Sequence, residues 1–359
     1  MSEALVAAPP VRLAVVGAGL IGRQHVLRIR NEPEATLAAI VDPSPAARDL
    51  AAGVGTPWLA DLDELLRADR PDGVIIATPN QMHVANGLTA VAAGVPMLLE
   101  KPVADGVDAG WRLVEAAEQA DVPILVGHHR RHSPLIQRAK AMVASERLGR
   151  ITTVSAHCWF RKPDDYFDVA WRREPGGGPV LINLIHVIDD VRNICGEIST
   201  VHALESSAIR GFPVEDTAAV LLRLESGALG TITISDAVPA PWSWELTAGE
   251  DKAFPKVDTS CYLIGGTEGS LAVPELELWH YPSEAGWRAP IERRRAIAPE
   301  QDPLVLQLRQ FCRVVRREEP PLLDGRSAMG TLEATLAVKE SAATGRTVQL
   351  AARRRGGRA

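Results

Sequence analysis

The chain has 359 residues, of which 46% are hydrophobic and 23% charged, and a formal net charge of −6. This is the balance of a soluble globular protein long enough for two domains, and its acidic sign argues against general attraction to nucleic acid or an anionic membrane. Cys158, Cys195, Cys261 and Cys312 are widely spaced without a C-x-x-C pair, so neither a disulfide framework nor a cysteine-bound zinc is suggested, and a cytoplasmic location fits.

Residues 1–10 lack the basic start and apolar stretch of a signal peptide and read as a flexible terminus. From Val11 the chain runs apolar to Val16 and then turns on Gly17, Gly19 and Gly22, with a helix expected from Leu20. A buried parallel strand, a tight glycine turn and a helix N-terminus together form a phosphate-holding unit: Gly17 makes the turn, Gly19 admits the pyrophosphate, and Gly22 packs helix on strand. Leu20 and Ile21 contribute the first helical amides. Asp42, at the end of a second strand (36–41), can accept both ribose hydroxyls and repel a 2′-phosphate, so NAD is favoured over NADP. Asp42 also suits the turn that follows, and Arg48 is near enough in sequence to reach a phosphate.

Further strands are expected at 73–77, 96–99 and 123–126, making 11–132 a doubly wound NAD-binding Rossmann domain. The uncharged stretch 73–99 contains Pro79, Asn80, Gln81, His83, Asn86 and Pro96 and reads as strand, helix and strand rather than a membrane span. Thr78, Asn80 and His83 follow one strand end, where Asn80 can cap the next helix and His83 suits a structural or cofactor-side role. Glu100 and Lys101 follow another strand end, at the edge where an α/β sheet binds ligands. Lys101 reads equally as a general base, with its pKa brought down from about 10.4, or as a surface partner of Glu100.

Beyond residue 133 the texture changes to strands at 151–160, 200–209, 218–224, 228–234, 243–248, 261–264 and 276–280, an open, mostly antiparallel sheet. Helices are expected at 180–194, 303–316 and 325–344. Together these make 133–350 an α/β substrate and oligomerisation domain, ahead of a disordered basic tail at 351–359. Gly176, Gly177, Gly178 and Pro179 introduce the helix carrying Asn183, His186 and Asp190, whose spacing places them along one face of an otherwise apolar segment. Such polar groups must find partners or face a cleft. His128, His129 and His132 precede Pro134 without a second ligand cluster, so no metal is expected, and no G-x-S-x-G elbow suggests a hydrolase.

Taken together, Gly17-x-Gly-x-x-Gly22, Glu100-Lys-Pro102, Gly127-x-x-Arg-Arg131, and Gly176-Gly-Gly178 leading to His186 and Asp190 resemble the glucose-fructose oxidoreductase, inositol dehydrogenase and MocA family over nearly the whole chain. The resemblance implies a nicotinamide-dependent oxidoreductase of sugars, polyols and related cyclic alcohols. It places Lys101 at the family's catalytic lysine, His186 at its histidine, Thr78, Asn80 and His83 at its cofactor-side segment, and His129 and Arg130 at substrate; Trp171 and Arg172 are further candidates for substrate contact. The family's Asp-x-x-x-His pattern, counted here with the aspartate at 183, meets Asn183, and Leu184-Ile185 replaces an intervening glycine. An amide orients a hydroxyl but cannot act as a base. A small-molecule substrate and a homodimer or homotetramer built on the second-domain sheet are expected. The alternatives are a dihydrodiol or hydroxy-acid dehydrogenase, with Arg130, Arg131, Arg161 and Arg172 available for a carboxylate, or a cofactor-binding regulator without turnover.

Overall fold

A computed structural model of the chain describes residues 8–145 and 147–350. The expected basic tail at 351–359 and most of the expected N-terminal arm lie outside the described residues. The chain divides into two compact units, one running to His129 and including Pro303–Gly330, the other comprising Arg130–Asp302 and the residues from Thr331 on.

In the first unit, β1 (Val11–Val16), β2 (Ala35–Val41), β3 (Trp58–Leu59), β4 (Gly73–Ile76), β5 (Met97–Leu99) and β6 (Ile124–Val126) form a six-stranded sheet in the order β3-β2-β1-β4-β5-β6. All of its pairs are parallel. Helices α1 (Leu20–Asn31), α2 (Pro45–Val54), α3 (Leu62–Ala68), α4 (His83–Ala92) and α5 (Val107–Gln119) follow successive strands. The order reverses between β1 and β4, so the carboxyl ends of those two strands flank the switch point where ligands bind in such sheets. β3, only two residues long, gave no sequence signal.

Residues 303–330 were expected in the second domain, yet they belong to the first unit. The reason is burial: on the helix Pro303–Val315, Leu308, Phe311 and Cys312 share a core cluster with Val11, Leu13, Ile29 and Ile75.

In the second unit, β7 (Ile151–Trp159), β8 (Ile198–Ser206), β9 (Thr217–Leu224), β10 (Leu229–Ser235), β11 (Tyr262–Gly266), β12 (Gly269–Val273), β13 (Glu277–His280), β14 (Glu292–Arg295) and β15 (Val348–Gln349) form a nine-stranded sheet. Its order is β14-β13-β12-β11-β7-β10-β9-β8-β15, and β7 with β10 is its parallel pair. One face is covered by α6 (Pro134–Ala144) and α7 (Ile185–Cys195), whose Ile136, Val187, Ile188 and Val191 share a core with Val154, Val220 and Ile232 of the sheet. On the other face, His202, Leu221, Thr231, Ser155 and Leu263 are successive cross-strand partners, and Leu221 is 56% exposed and Leu263 51%.

Several elements differ from expectation. The segment 243–248 forms the short helix α8 (Trp244–Thr247), because the Ser243 hydroxyl accepts the Leu246 amide and caps it. α6 begins at Pro134, where the missing amide costs nothing and Ser133 caps Ile136. The expected helix 180–194 opens with a π-helical turn over Val180–Leu184 before α7.

Candidate active site

Local sterics explain the glycine turn. Gly17 has φ +95°, and a Cβ there would lie 2.5 Å from the Ala77 carbonyl oxygen, while one at Gly22 would lie 1.9 Å from that of Gly17. Gly19 is different: a Cβ there would meet nothing within 4 Å. That open space lies at the start of α1, which has no side-chain cap and whose first residue, Leu20, is 81% exposed. The first amides of a helix have no intrahelical acceptor and favour an anion, so Gly19, Leu20, Ile21 and Gly22 fit a dinucleotide pyrophosphate.

The carboxylate of Asp42 is fixed beside this turn. Its Oδ2 accepts the Ala18 amide and its Oδ1 the Ser44 amide, both at 2.8 Å. Partial burial pushes its pKa up, but hydrogen bonds from Ser44 and Ala18 outweigh this and hold it below the usual carboxyl range. Each oxygen keeps a further lone pair for a ribose hydroxyl. Arg48 stacks over Trp58 at 5.8 Å from the ring centroid, which turns its guanidinium to that ring.

At the end of β4, Thr78 and Asn80 are half-buried. Asn80 opens a 3₁₀ turn (Asn80–Met82) and caps neither that turn nor α4 through its side chain, unlike the sequence expectation. His83 is buried between two carbonyl oxygens, with Nδ1 2.7 Å from Pro102 and Nε2 2.9 Å from Thr78. Burial lowers its pKa against the pull of the two carbonyl oxygens, and the ring spans the strand ends of β4 and β5.

Glu100, expected at the cofactor, instead turns inward: Oε1 lies 2.8 Å from His25 Nε2, and Oε2 accepts the Lys101 amide at 3.3 Å. Burial pushes the carboxyl pKa up, and His25 pulls it below its ordinary value. Lys101, half-buried, follows directly on this fixed carboxylate. The first unit thus brings together the glycine turn, Asp42, Thr78, His83, Glu100 and Lys101 around adjoining strand ends.

In the second unit, Asn183 lies in the π-helical turn and His186 in the first turn of α7. The Asn183 Oδ1 is enclosed without a hydrogen-bond partner among the described residues. Counted back from His186 as Asp-x-x-x-His, the aspartate position is Ile182 rather than Asn183, so this chain carries no carboxylate at either place. Asp190 Oδ2 accepts the Tyr262 hydroxyl at 2.9 Å and Arg130 Nη1 at 3.2 Å. Burial pushes the Asp190 carboxyl up to about 7 against the pull of Arg130.

Arg130, expected to contact substrate, is buried and also gives Nη2 to Glu245 Oε1 at 2.8 Å. Its terminal nitrogens therefore serve this internal hub, which the sequence did not signal because Tyr262 and Glu245 belong to no motif. His129 is half-buried and lies in the first unit. Trp171 is exposed, and Arg172 stacks over Tyr166 at 4.0 Å while donating to the Tyr166 carbonyl at 2.7 Å.

Among the described residues, no group of three or more His, Cys, Asp or Glu is placed to hold a metal ion, and no helix is long and apolar enough to cross a membrane.

A parallel sheet with an open glycine turn, a carboxylate fixed beside that turn and a lysine at a strand end is the framework of a dinucleotide-dependent dehydrogenase. Residues 11–128 match the oxidoreductase family with an NAD-binding Rossmann fold, and residues 136–272 match the GFO/IDH/MocA C-terminal domain. The chain belongs to the GFO/IDH/MocA oxidoreductase family, and its cofactor is NAD. It is 32% identical over 235 residues to an inositol 2-dehydrogenase of an Arthrobacter species, covering 62% of this chain and 66% of that one. It is 26% identical to a D-xylose 1-dehydrogenase (NADP(+)) of Haloferax volcanii over 94% of this chain and 98% of that one. Among solved structures, the WlbA dehydrogenase of Chromobacterium violaceum in complex with NADH and UDP-GlcNAcA is 25% identical with a TM-score of 0.79, covering 97% of this chain and 98% of that one.

Proposed function

We propose that the protein oxidises a secondary alcohol of a sugar, polyol or related cyclic alcohol, with Lys101 as the proton acceptor. The observation that carries this reading is the fixed carboxyl end of β5, where buried Glu100 is held by His25 and accepts the Lys101 amide. A rigid backbone at that point fixes where the lysine side chain begins, at the strand end that borders ligand sites in such sheets, and this supports the reading. NAD, when bound, supplies the hydride acceptor. Lys101 takes the hydroxyl proton, His186 assists, and Asn183 orients a hydroxyl through an amide that does not titrate.

Two of the four arginines considered for a carboxylate are committed internally, which weighs against a clamp built on them. Arg130 is held by Asp190 and Glu245, and Arg131 by Asp189 at 2.8 Å, so neither is available to clamp a carboxylate as a hydroxy-acid substrate requires. Similarity to inositol and xylose dehydrogenases supports the same reading. Asp42 supports NAD over NADP. The exposed Leu221 and Leu263 on the otherwise mixed outer face of the nine-stranded sheet support a homo-oligomer, since large apolar side chains exposed on a sheet face are covered by association.

The test is NADH formation at 340 nm with myo-inositol, other cyclic polyols, aldoses, anhydrosugars and dihydrodiols. Turnover of a neutral polyol or sugar is expected. Turnover confined to hydroxy acids would overturn the substrate class, and tight NAD binding without any turnover would leave the regulator reading standing.

A further inference from the structure

Building on the proposed alcohol oxidation, we propose that Glu215 is a positioning residue, which sets the placement of Asn183 and His186 by clamping the first peptide of the helical segment that carries them. Glu215 lies just before β9 and is buried. Its Oε1 accepts the Val180 amide at 3.0 Å, and its Oε2 accepts Lys339 Nζ at 2.6 Å. Lys339 also donates to Glu205 Oε2 at 2.7 Å.

Val180 is the point on which this segment turns. Pro179 before it has no amide to offer, and no side chain of the preceding residue caps the turn. The Val180 carbonyl accepts the amide of Ile185, the residue immediately before His186. One residue therefore links the Glu215 carboxylate, through its N–H on one side and its C=O on the other, to the start of α7. Asn183 lies inside the loop so closed.

The last of the three glycines is explained by the same contact, and the one before it by a second neighbour. A Cβ at Gly178 would lie 2.3 Å from Glu215 Oε1, and one at Gly177 would lie 2.2 Å from the Trp171 carbonyl oxygen. Both glycines are required for the segment to settle on its supports. A carboxylate at this point is favourable twice over, because it faces the positive end of a helical segment and is neutralised by an ammonium.

Removal of the clamp lets the entry turn shift, and a displacement of about 1 Å in a reacting group costs roughly 10²-fold in rate. Glu215→Ala is expected to lower kcat by about 10²-fold and to raise KM, because Asn183 shifts together with His186, while leaving NAD affinity near native. Glu215→Gln, made together with Lys339→Met so that its NH2 does not face an ammonium, still accepts the Val180 N–H through its amide oxygen and should retain most of kcat. Hydrogen exchange over residues 179–186 should accelerate in the alanine variant and not in the glutamine variant. Turnover is read with myo-inositol or the best cyclic polyol of the panel.

If Glu215→Ala does not fold, Gly178→Ala, which pushes the carboxylate away by direct contact, is expected to show the same loss and the same faster exchange. The assignment is overturned by native kcat in the alanine variant, by a loss that only tracks the folded fraction, or by a glutamine variant as impaired as the alanine one. Lack of turnover in the native enzyme would sink the alcohol reading instead, and the exchange measurement would still decide the clamp.

Discussion

The imidazole of His25, on the helix of the glycine turn, meets the carboxylate of Glu100, at the end of β5, at 2.8 Å in the interior of the first unit. Its pKa being held below the ordinary value, Glu100 contributes stability that is present above the unfolded carboxyl value of about 4.3 and is lost as pH falls through the lower folded value. Glu100→Gln should therefore cost about 1.5–3 kcal/mol at pH 7, the range for hydrogen bonds to charged groups. Urea unfolding at pH 7 and pH 4 should show that gap narrowing in acid. An equal gap at both values would mean that the charge of Glu100 is not what stabilises the pair.

Lys101→Met should lower kcat by about 10² to 10⁴ with NAD affinity within a few-fold, the usual contribution of a general base. Steady-state rates and cofactor titration separate the two quantities. Near-native turnover would move proton acceptance elsewhere, with His186 the first place to look.

Asp42→Ala should narrow the preference for NAD over NADP by about 10- to 100-fold, since it removes charged hydrogen bonds to the ribose and repulsion of a 2′-phosphate. The two Ser44 and Ala18 contacts hold the native carboxylate ionised at neutral pH. Fluorescence titration with both cofactors measures the ratio. Tighter binding of NADP than NAD by the native protein would contradict the role of Asp42.

The first unit was legible in the sequence because its elements carry local signals: an apolar run ending on Gly17, an acid at Asp42, and a lysine directly after β5. Buried parallel strands announce themselves by composition. β14 did not, because Glu292–Arg295 is an exposed charged edge strand without apolar alternation. The place of residues 303–330 was also hidden, since the contact of Phe311 with the first core is made across nearly the whole chain length. For the site, types and order were readable, while pairings were not. Glu100 looked like a cofactor contact and Arg130 like a substrate contact, but each is enclosed by partners from distant strands and helices. Glu215 had no signal apart from the triple glycine, whose need for space points to a close neighbour without naming it.

The double substitution Leu221→Glu and Leu263→Glu should dissociate the proposed oligomer. Both side chains stand on the uncovered sheet face in one cross-strand row with Thr231 and Ser155, where paired carboxylates would be buried without partners on association. Light scattering at micromolar concentration should show the native protein as a dimer or tetramer and the variant as a monomer with an unchanged circular dichroism spectrum. A monomeric native protein would rule out association through this face.

Asn183→Asp tests whether the amide positions substrate or merely stands in for a base. The native Oδ1 is enclosed without a hydrogen-bond donor among the described residues, so an added carboxylate there is poorly solvated and interacts with the imidazole of His186 three residues on. A nearby negative charge raises the pKa of an imidazole. The neutral ring then forms only at higher pH, so the acid limb of kcat/KM should move upward while substrate binding weakens. Ile182→Asp is the companion variant, because it places the carboxylate at the four-residue spacing from His186. If Asn183→Asp instead raised activity on the native substrate with an unchanged pH profile, the amide would not be the adapted group, and substrate positioning would have to be assigned to another residue.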